Sequence, residues 1–213
     1  MARTNIHFDE NKRKLIEIAY TLFLEKGYED TSVNDILKAA KISRGAMYHY
    51  FSSKEEILDK VIDYLLNLQS SQLNDIVADG DATALDKLER LLLPHAPPPE
   101  LFRQAVKAMH RNTKTIFFHL LKEEARKRSI PLVAAIIGQG VKEGVFYTDY
   151  PNQMADYIYT VGQSLSAAFS LNPIGIGCED LDAFMFLLKQ TLGMDNDSVL
   201  KFREPFAKAF SLI

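Results

Sequence analysis

Several kinds of hydrogen-bond donor crowd into one short stretch. Arg44-Gly45-Ala46-Met47-Tyr48-His49-Tyr50 carries a guanidinium, two phenols and an imidazole, and the ammonium of Lys54 follows four residues on. The segment from Lys38 to Lys54 contains Lys38, Lys41, Arg44 and Lys54 and no acidic residue. Groups of this kind bind phosphate oxygens and the edges of bases. Catalysis would need a different pattern. His7, His49, His95, His110 and His119 are scattered, without the i, i+4 pairing of a helical metal site, so no metal is expected. Cys178 has no sequence neighbour that could serve as its base. Gly138-Gln139-Gly140 and Gly175-Ile176-Gly177 follow no strand pattern, so neither reads as a phosphate loop. The chain reads as a non-enzyme, with no catalytic residue and no cofactor.

The elements that must hold these donors are helices. From Lys12 to Lys26, Leu15, Ile16, Ala19, Leu22 and Phe23 recur at three- and four-residue spacing and make one apolar stripe. Gly27 stands where that helix needs a left-handed terminator. Ser32 can cap a second helix with Asp35 at its third position, and Val33, Ile36, Leu37 and Ala40 form the buried face. Lys41-Ile42-Ser43 interrupts it. Ser43 caps a third helix from Arg44 to about Phe51, and Ser53 and Glu56 have capping-box spacing at the start of a fourth. Two short helices joined by a three-residue turn behind a longer one describe a helix-turn-helix.

The phase of the third helix separates its faces. At about 100° per residue, Met47 and Phe51 lie within about 40° of each other and point inward. Gly45, Tyr48 and His49 then lie on the opposite side, with Arg44 and Tyr50 at the margins. A polar aromatic face on so short a helix suits the major groove of a duplex, and Gly45 lets the backbone approach it. Lys54, beside the free N–H groups of the fourth helix, suits a phosphate. Net charge does not carry this reading, because the whole chain stands at −3. The balance is local: residues 1–55 hold nine Lys/Arg against eight Asp/Glu, and the remainder holds 16 against 20.

Gly27-Tyr28, Thr31-Ser32-Val33, Ile36 and the run from Ser43 to Glu56, with its Gly-x-x-Tyr-x-x-Phe-x-x-Lys spacing, together resemble the DNA-binding domain of the TetR family of bacterial transcription regulators. The resemblance is strong over residues 10–60; beyond them only the plan is similar. It implies an all-α fold, with a three-helix helix-turn-helix domain at residues 1–54 and a helical ligand-sensing and dimerisation domain at residues 55–213. It implies that Thr31, Ser43, Arg44, Gly45, Tyr48, His49, Tyr50 and Lys54 face double-stranded DNA, with Tyr50 standing where the family often has His. The implied partners are a palindromic operator, a second copy of the chain and an unidentified small-molecule effector, and the implied outcome is repression.

The rest of the chain is helical in pattern, with no strand signal and no internal repeat. The fourth helix runs through Leu58, Val61, Ile62 and Leu65 to about Ile76, and Ala82 to Leu93 follows. Pro94 to Pro99 is a loop that no helix crosses. Glu100 to His110, Thr113 to Arg128 and Leu132 to Glu143 are helical, with a kink or restart at Pro131 and a stop at Gly144. Asn152 to Ser170 and Asp180 to Leu192 complete the pattern. Ala183 to Leu188 is apolar all round, so one side needs a cover beyond the chain's own core. The expected dimer surface is Val161, Gly162, Leu165, Ser166, Phe169, Phe184 and Leu188. Phe102, Met109, Phe117, Phe118, Tyr157 and Tyr159 are the candidate lining of an apolar effector pocket. No apolar run is long enough to span a membrane, the N-terminus lacks a signal-like apolar stretch, and one cysteine fits a reducing cytoplasm.

Overall fold

A computed structural model describes residues 2–92, 116–171 and 177–209, with side chains over 10–67, 73–92, 116–164 and 177–208. The described residues are all-helical, with no strand among them. The helices are α1 (Ala2–Lys26), α2 (Val33–Ala40), α3 (Arg44–Tyr48), α4 (Lys54–Ala78), α5 (Ala84–Leu92), α6 (Ile116–Glu143), α7 (Pro151–Leu171), α8 (Cys178–Leu192) and α9 (Asn196–Ala209). The chain divides into two compact units, Met1–Gln69 with Pro98–Ala125 and Ser70–Pro97 with Arg126–Ile213. The division falls inside α4 and α6.

The first unit is larger than residues 1–54 because the helix-turn-helix cannot close its core alone. Leu15, Ile16, Ala19 and Phe23 of α1 meet Ile36 and Leu37 of α2 and Met47 and Phe51 around α3. Ile57, Val61 and Leu65 of α4 and Phe117, Phe118 and Leu121 of α6 then cover the rest. Phe117 stacks 6.1 Å from Phe23 and 5.0 Å from Phe118, centroid to centroid. Phe117 and Phe118, expected in an effector pocket, are core residues of this unit. The Tyr64 hydroxyl donates to Glu17 at 2.8 Å and ties α4 to α1.

The second unit is built on α5 to α9 and the end of α4. Thr83 and Asp86 form a capping box that starts α5. Lys87 is buried; its ammonium donates to the Val77 carbonyl in the last turn of α4 and to Gln139 Oε1 of α6, both at 2.9 Å. Gln139 and Gly140 of the Gly138-Gln139-Gly140 run thus serve packing. A Cβ on Gly140 would collide with the ring of buried Phe146. The Tyr147 amide donates to the Leu192 carbonyl at 2.7 Å and pins the α6–α7 connection to the end of α8.

Helix α6 runs unbroken through Pro131, where a kink or restart is expected. Proline removes one N–H and crowds the carbonyl four residues back, but buried Phe117, Phe118 and Leu121 before it and Val133, Ile136 and Ile137 after it hold the helix on both sides. Helix α9 has no counterpart in the sequence reading. It is started by Asp195, which accepts the Ser198 amide at 2.7 Å, and is held on α8 by a Phe184–Phe206 contact and an Arg203–Asp182 ion pair.

Two members of the expected dimer surface, Phe184 and Leu188, are turned inward by the phase of α8. Both are buried in the second unit's own core, and Val161 packs against it. A Cβ on Gly162 would meet Leu92 of the same chain at 3.6 Å. A helix apolar on all sides does not disclose from sequence which side faces home. Among the exposed residues, Tyr157, Thr160 and Ser164 on α7 and Ala183, Phe186 and Gln190 on α8 each follow i, i+3, i+7 spacing. The side chains of Leu165, Ser166 and Phe169 lie outside the described residues.

Candidate nucleic-acid interface

Three caps fix the geometry of the donor-rich stretch. Gly27 takes φ 89°, a left-handed value that ends α1 without a Cβ penalty. At α2 the Ser32 hydroxyl accepts the Asp35 amide at 3.1 Å, and Asp35 accepts the Ser32 amide at 2.9 Å. The Ser32 hydroxyl also donates to the Asp35 carboxylate at 2.6 Å, and that bond, the Ser32 amide and Lys26 beside it hold Asp35 well below the usual carboxylate range. The Ser43 hydroxyl accepts the Ala46 amide at 3.2 Å and starts α3. Between them Lys41 adopts φ 55°, and its own and Ile42's amides return to carbonyls of α2. That tight reversal sets the angle between α2 and α3.

The result is a short helix with two faces. Met47 and Phe51 are at 0% and 1% exposure in the core. Arg44, Gly45, Tyr48 and His49 are exposed, Tyr48 by 55%. Helix α3 is shorter than its expected run to Phe51, because the Tyr50 and Phe51 amides both donate to the Met47 carbonyl and tighten the last turn. Tyr50 is half-buried against the core. No side-chain atom lies within 4 Å of a Cβ placed on Gly45 except the Ser43 hydroxyl, at 4.0 Å, so the backbone there is open. Arg44 reaches back to Asn34 of α2, a contact for which the sequence carries no signal, since ten residues and a turn intervene.

Thr31 belongs elsewhere. It is fully buried, and its hydroxyl donates to the Gly27 carbonyl at 2.7 Å and approaches the Leu22 carbonyl at 3.3 Å. It satisfies the end of α1 and presents nothing to a duplex. Ser43 is exposed, but its hydroxyl is taken by the cap.

Lys54 is half-buried at the start of α4. Its ammonium sits 4.1 Å from the centre of the Tyr28 ring and 3.4 Å from the Glu29 carbonyl, so its stem is fixed by a cation–π contact. Burial, with Glu55 close by, raises the Tyr28 phenol above its ordinary pKa and keeps the ring neutral under the lysine. The capping box at α4 is shifted by one residue. The Ser53 hydroxyl accepts the Glu56 amide, but the Glu56 carboxylate accepts the Ser52 amide at 2.7 Å and the Ser52 hydroxyl at 2.6 Å. Arg44, Gly45, Tyr48 and His49 thus share one exposed patch, with Lys54 anchored at the start of the next helix.

The effector candidates are not gathered in the same way. Phe102 and Met109 lie outside the described residues. In the second unit Tyr157 is exposed, while Tyr159 is half-buried, with Ser129 hydrogen-bonded to a phenol that burial shifts upward. Tyr157 lines an open groove of about 740 Å³ with Val141, Phe146, Tyr147, Tyr150 and Met154. No helix among the described residues is long and apolar enough to cross a membrane.

Comparison with known proteins agrees with this architecture. Residues 15–61 match the family model described as bacterial regulatory proteins, tetR family, and residues 100–168 match a tetracyclin repressor-like C-terminal domain. The transcriptional repressor KstR2 of Rhodococcus jostii is 30% identical over 151 residues, covering 68% of this chain and 72% of that protein. Among solved structures, Escherichia coli NemR in its reduced form superposes with a TM-score of 0.60 at 16% identity, covering 87% of this chain and 99% of that one. The ketosteroid transcriptional regulator KstR2 of Mycobacterium tuberculosis gives 0.50 at 22% identity, covering 94% and 93%. Seen with the buried Met47–Phe51 face and the open Arg44–Tyr48–His49 face, these matches make the chain a DNA-binding transcription regulator of the TetR family.

Proposed function

We propose that the chain is a homodimeric repressor that binds a palindromic operator through α3 and leaves it when the second unit takes up a small molecule. The observation that carries the DNA half is the split of α3, with Met47 and Phe51 in the core and Arg44, Tyr48 and His49 in the open. Arg44, Tyr48 and His49 reach base edges and phosphates, Gly45 admits the backbone, and Lys54 pairs with a phosphate from its seat on Tyr28. Tyr50, half turned to the core, contributes through its phenol edge.

Dimerisation is supported by the exposed faces of α7 and α8, where Phe186 and Tyr157 stand in water at 64% and 55% exposure. A two-fold pair of heads reads two half-sites about 34 Å apart, or at a related spacing. The effector is a largely apolar small molecule held by the second unit, with Tyr159 among its contacts. KstR2 of Mycobacterium tuberculosis is described as a ketosteroid regulator, which makes polycyclic apolar compounds the first class to try.

Selection of genomic fragments bound at moderate salt tests the DNA half. The expected product is a shared inverted repeat; recovery of no enriched sequence overturns it. Melting with and without apolar compounds tests the sensing half. A true effector at a hundred times its Kd stabilises by about 2.7 kcal/mol and releases the recovered fragment.

A further inference from the structure

The turn between α2 and α3 carries a contact that the docking of α3 does not by itself require. The Arg44 guanidinium donates from Nη2 to Asn34 Oδ1 at 2.9 Å, and both side chains are exposed. Asn34 is the only partner of Arg44 among the described residues. Local helix electrostatics give no reason for an arginine there. Arg44 is the first residue of α3, where the positive end of the helix disfavours a cation. The neighbouring helix supplies a neutral amide instead of a carboxylate, so the arginine is held in place with its charge intact.

We infer that Asn34 is a positioning residue for sequence recognition: it fixes Arg44 in the orientation from which the guanidinium meets a base edge. This rests on the docking of α3 proposed above. The donor geometry permits both contacts at once. Nη2 carries two protons, one on each of the guanidinium's two paired edges, the Nε–Nη2 edge and the Nη1–Nη2 edge. A single bond to Asn34 occupies one edge and leaves the other complete. A complete edge is what the O6 and N7 acceptors of guanine take in a bidentate contact. Without Asn34, Arg44 is a free-swinging cation at the rim of the patch, still able to find phosphates but no longer committed to one base. With an aspartate in its place, the hydrogen bond persists, but the pair is neutral and a carboxylate faces the DNA.

The test uses the full chain and a duplex recovered from a random pool by the wild-type protein, with an unrelated duplex of equal length as reference. Asn34→Ala should cut the ratio of the two affinities about tenfold, while affinity for the unrelated duplex stays within about twofold. The preference should relax at one symmetric pair of base positions. Arg44→Ala should relax the same positions, and the double variant should match Arg44→Ala alone. Should Asn34→Ala lower the melting temperature, the isosteric Asn34→Asp carries the test and should weaken binding to both duplexes. An affinity ratio unchanged in Asn34→Ala but lowered in Arg44→Ala overturns the inference and leaves the docking standing. So do additive effects of the two changes. A wild-type protein that prefers no duplex in the pool removes the docking and the inference together.

Discussion

Tyr48 on α3 and Phe186 on α8 are both aromatic side chains more than half exposed on a helix, at 55% and 64%. Their surroundings are opposite. Tyr48 ends in a hydroxyl and is flanked by exposed Arg44 and His49, on a helix with an open glycine backbone. Phe186 has no polar atom; exposed Ala183 and Gln190 share its face without charge, and Asp182 one turn back is paired with Arg203. Exposure alone does not name a partner; the groups around the ring do. A polar, cationic surround suits a wet phosphate and base surface, whereas an exposed phenylalanine without a cation beside it is relieved of its contact with water only by another apolar face. The two regions also differ in support. Arg44 and Tyr48 of the first sit on a helix started by a serine cap, while the second is one side of a helix whose other side lies in the core.

The largest effect should come from setting Phe184 against Phe186. Phe184→Asp buries an unpaired charge in the second unit and should destabilise it by at least about 4 kcal/mol, seen as a collapse of the melting transition. Phe186→Asp should leave the helical content of the chain intact, shift sedimentation from dimer to monomer and remove the dependence of the melting temperature on protein concentration. A dimer that survives Phe186→Asp would place the subunit interface away from this face of α8. On the α3 side, Tyr48→Ala should weaken binding to the selected duplex about ten- to hundredfold without moving the melting temperature. An unchanged affinity would place the interface elsewhere.

Thr31 sharpens the boundary of the DNA face. Thr31→Val removes the hydroxyl that satisfies the end of α1 and should cost about 1–2 kcal/mol of stability, while the folded protein binds DNA as before. The smallest effect concerns pH. Asp35 is held below its ordinary pKa of 3.8 by the Ser32 cap and Lys26, so its contribution to stability is fully present above that value. It is lost as pH falls below it, when the carboxylate takes up a proton in the folded state as well. The difference in melting temperature between wild type and Asp35→Asn should therefore be full at neutral pH and shrink steadily as pH falls below 3.8.

The helix-turn-helix was legible in the sequence because its boundaries are written in local chemistry. Gly27, Ser32 with Asp35, Ser43 and Ser53 act within three or four residues of where they stand, and Met47 and Phe51 announce the inner face by spacing alone. What escaped depends on distance. Thr31 lies in a motif that resembles a DNA contact, but its hydroxyl is captured by the carbonyls of α1. Phe117 and Phe118 read as pocket lining, yet they close the core of the first unit, some ninety residues from Phe23. Phe184 and Leu188 sit on a helix whose apolar residues surround it, so periodicity does not reveal which side the chain keeps for itself. The Asn34–Arg44 contact crosses a turn of unusual geometry at Lys41 and had no sequence signal at all.

Photo-crosslinking from positions 48 and 186, each replaced in turn by a light-activated phenylalanine analogue, tests both surfaces with the full chain bound to its selected duplex. Position 48 should cross-link to DNA and position 186 to a second copy of the chain. Cross-links from position 48 to protein alone, with the duplex demonstrably bound, would contradict the docking of α3.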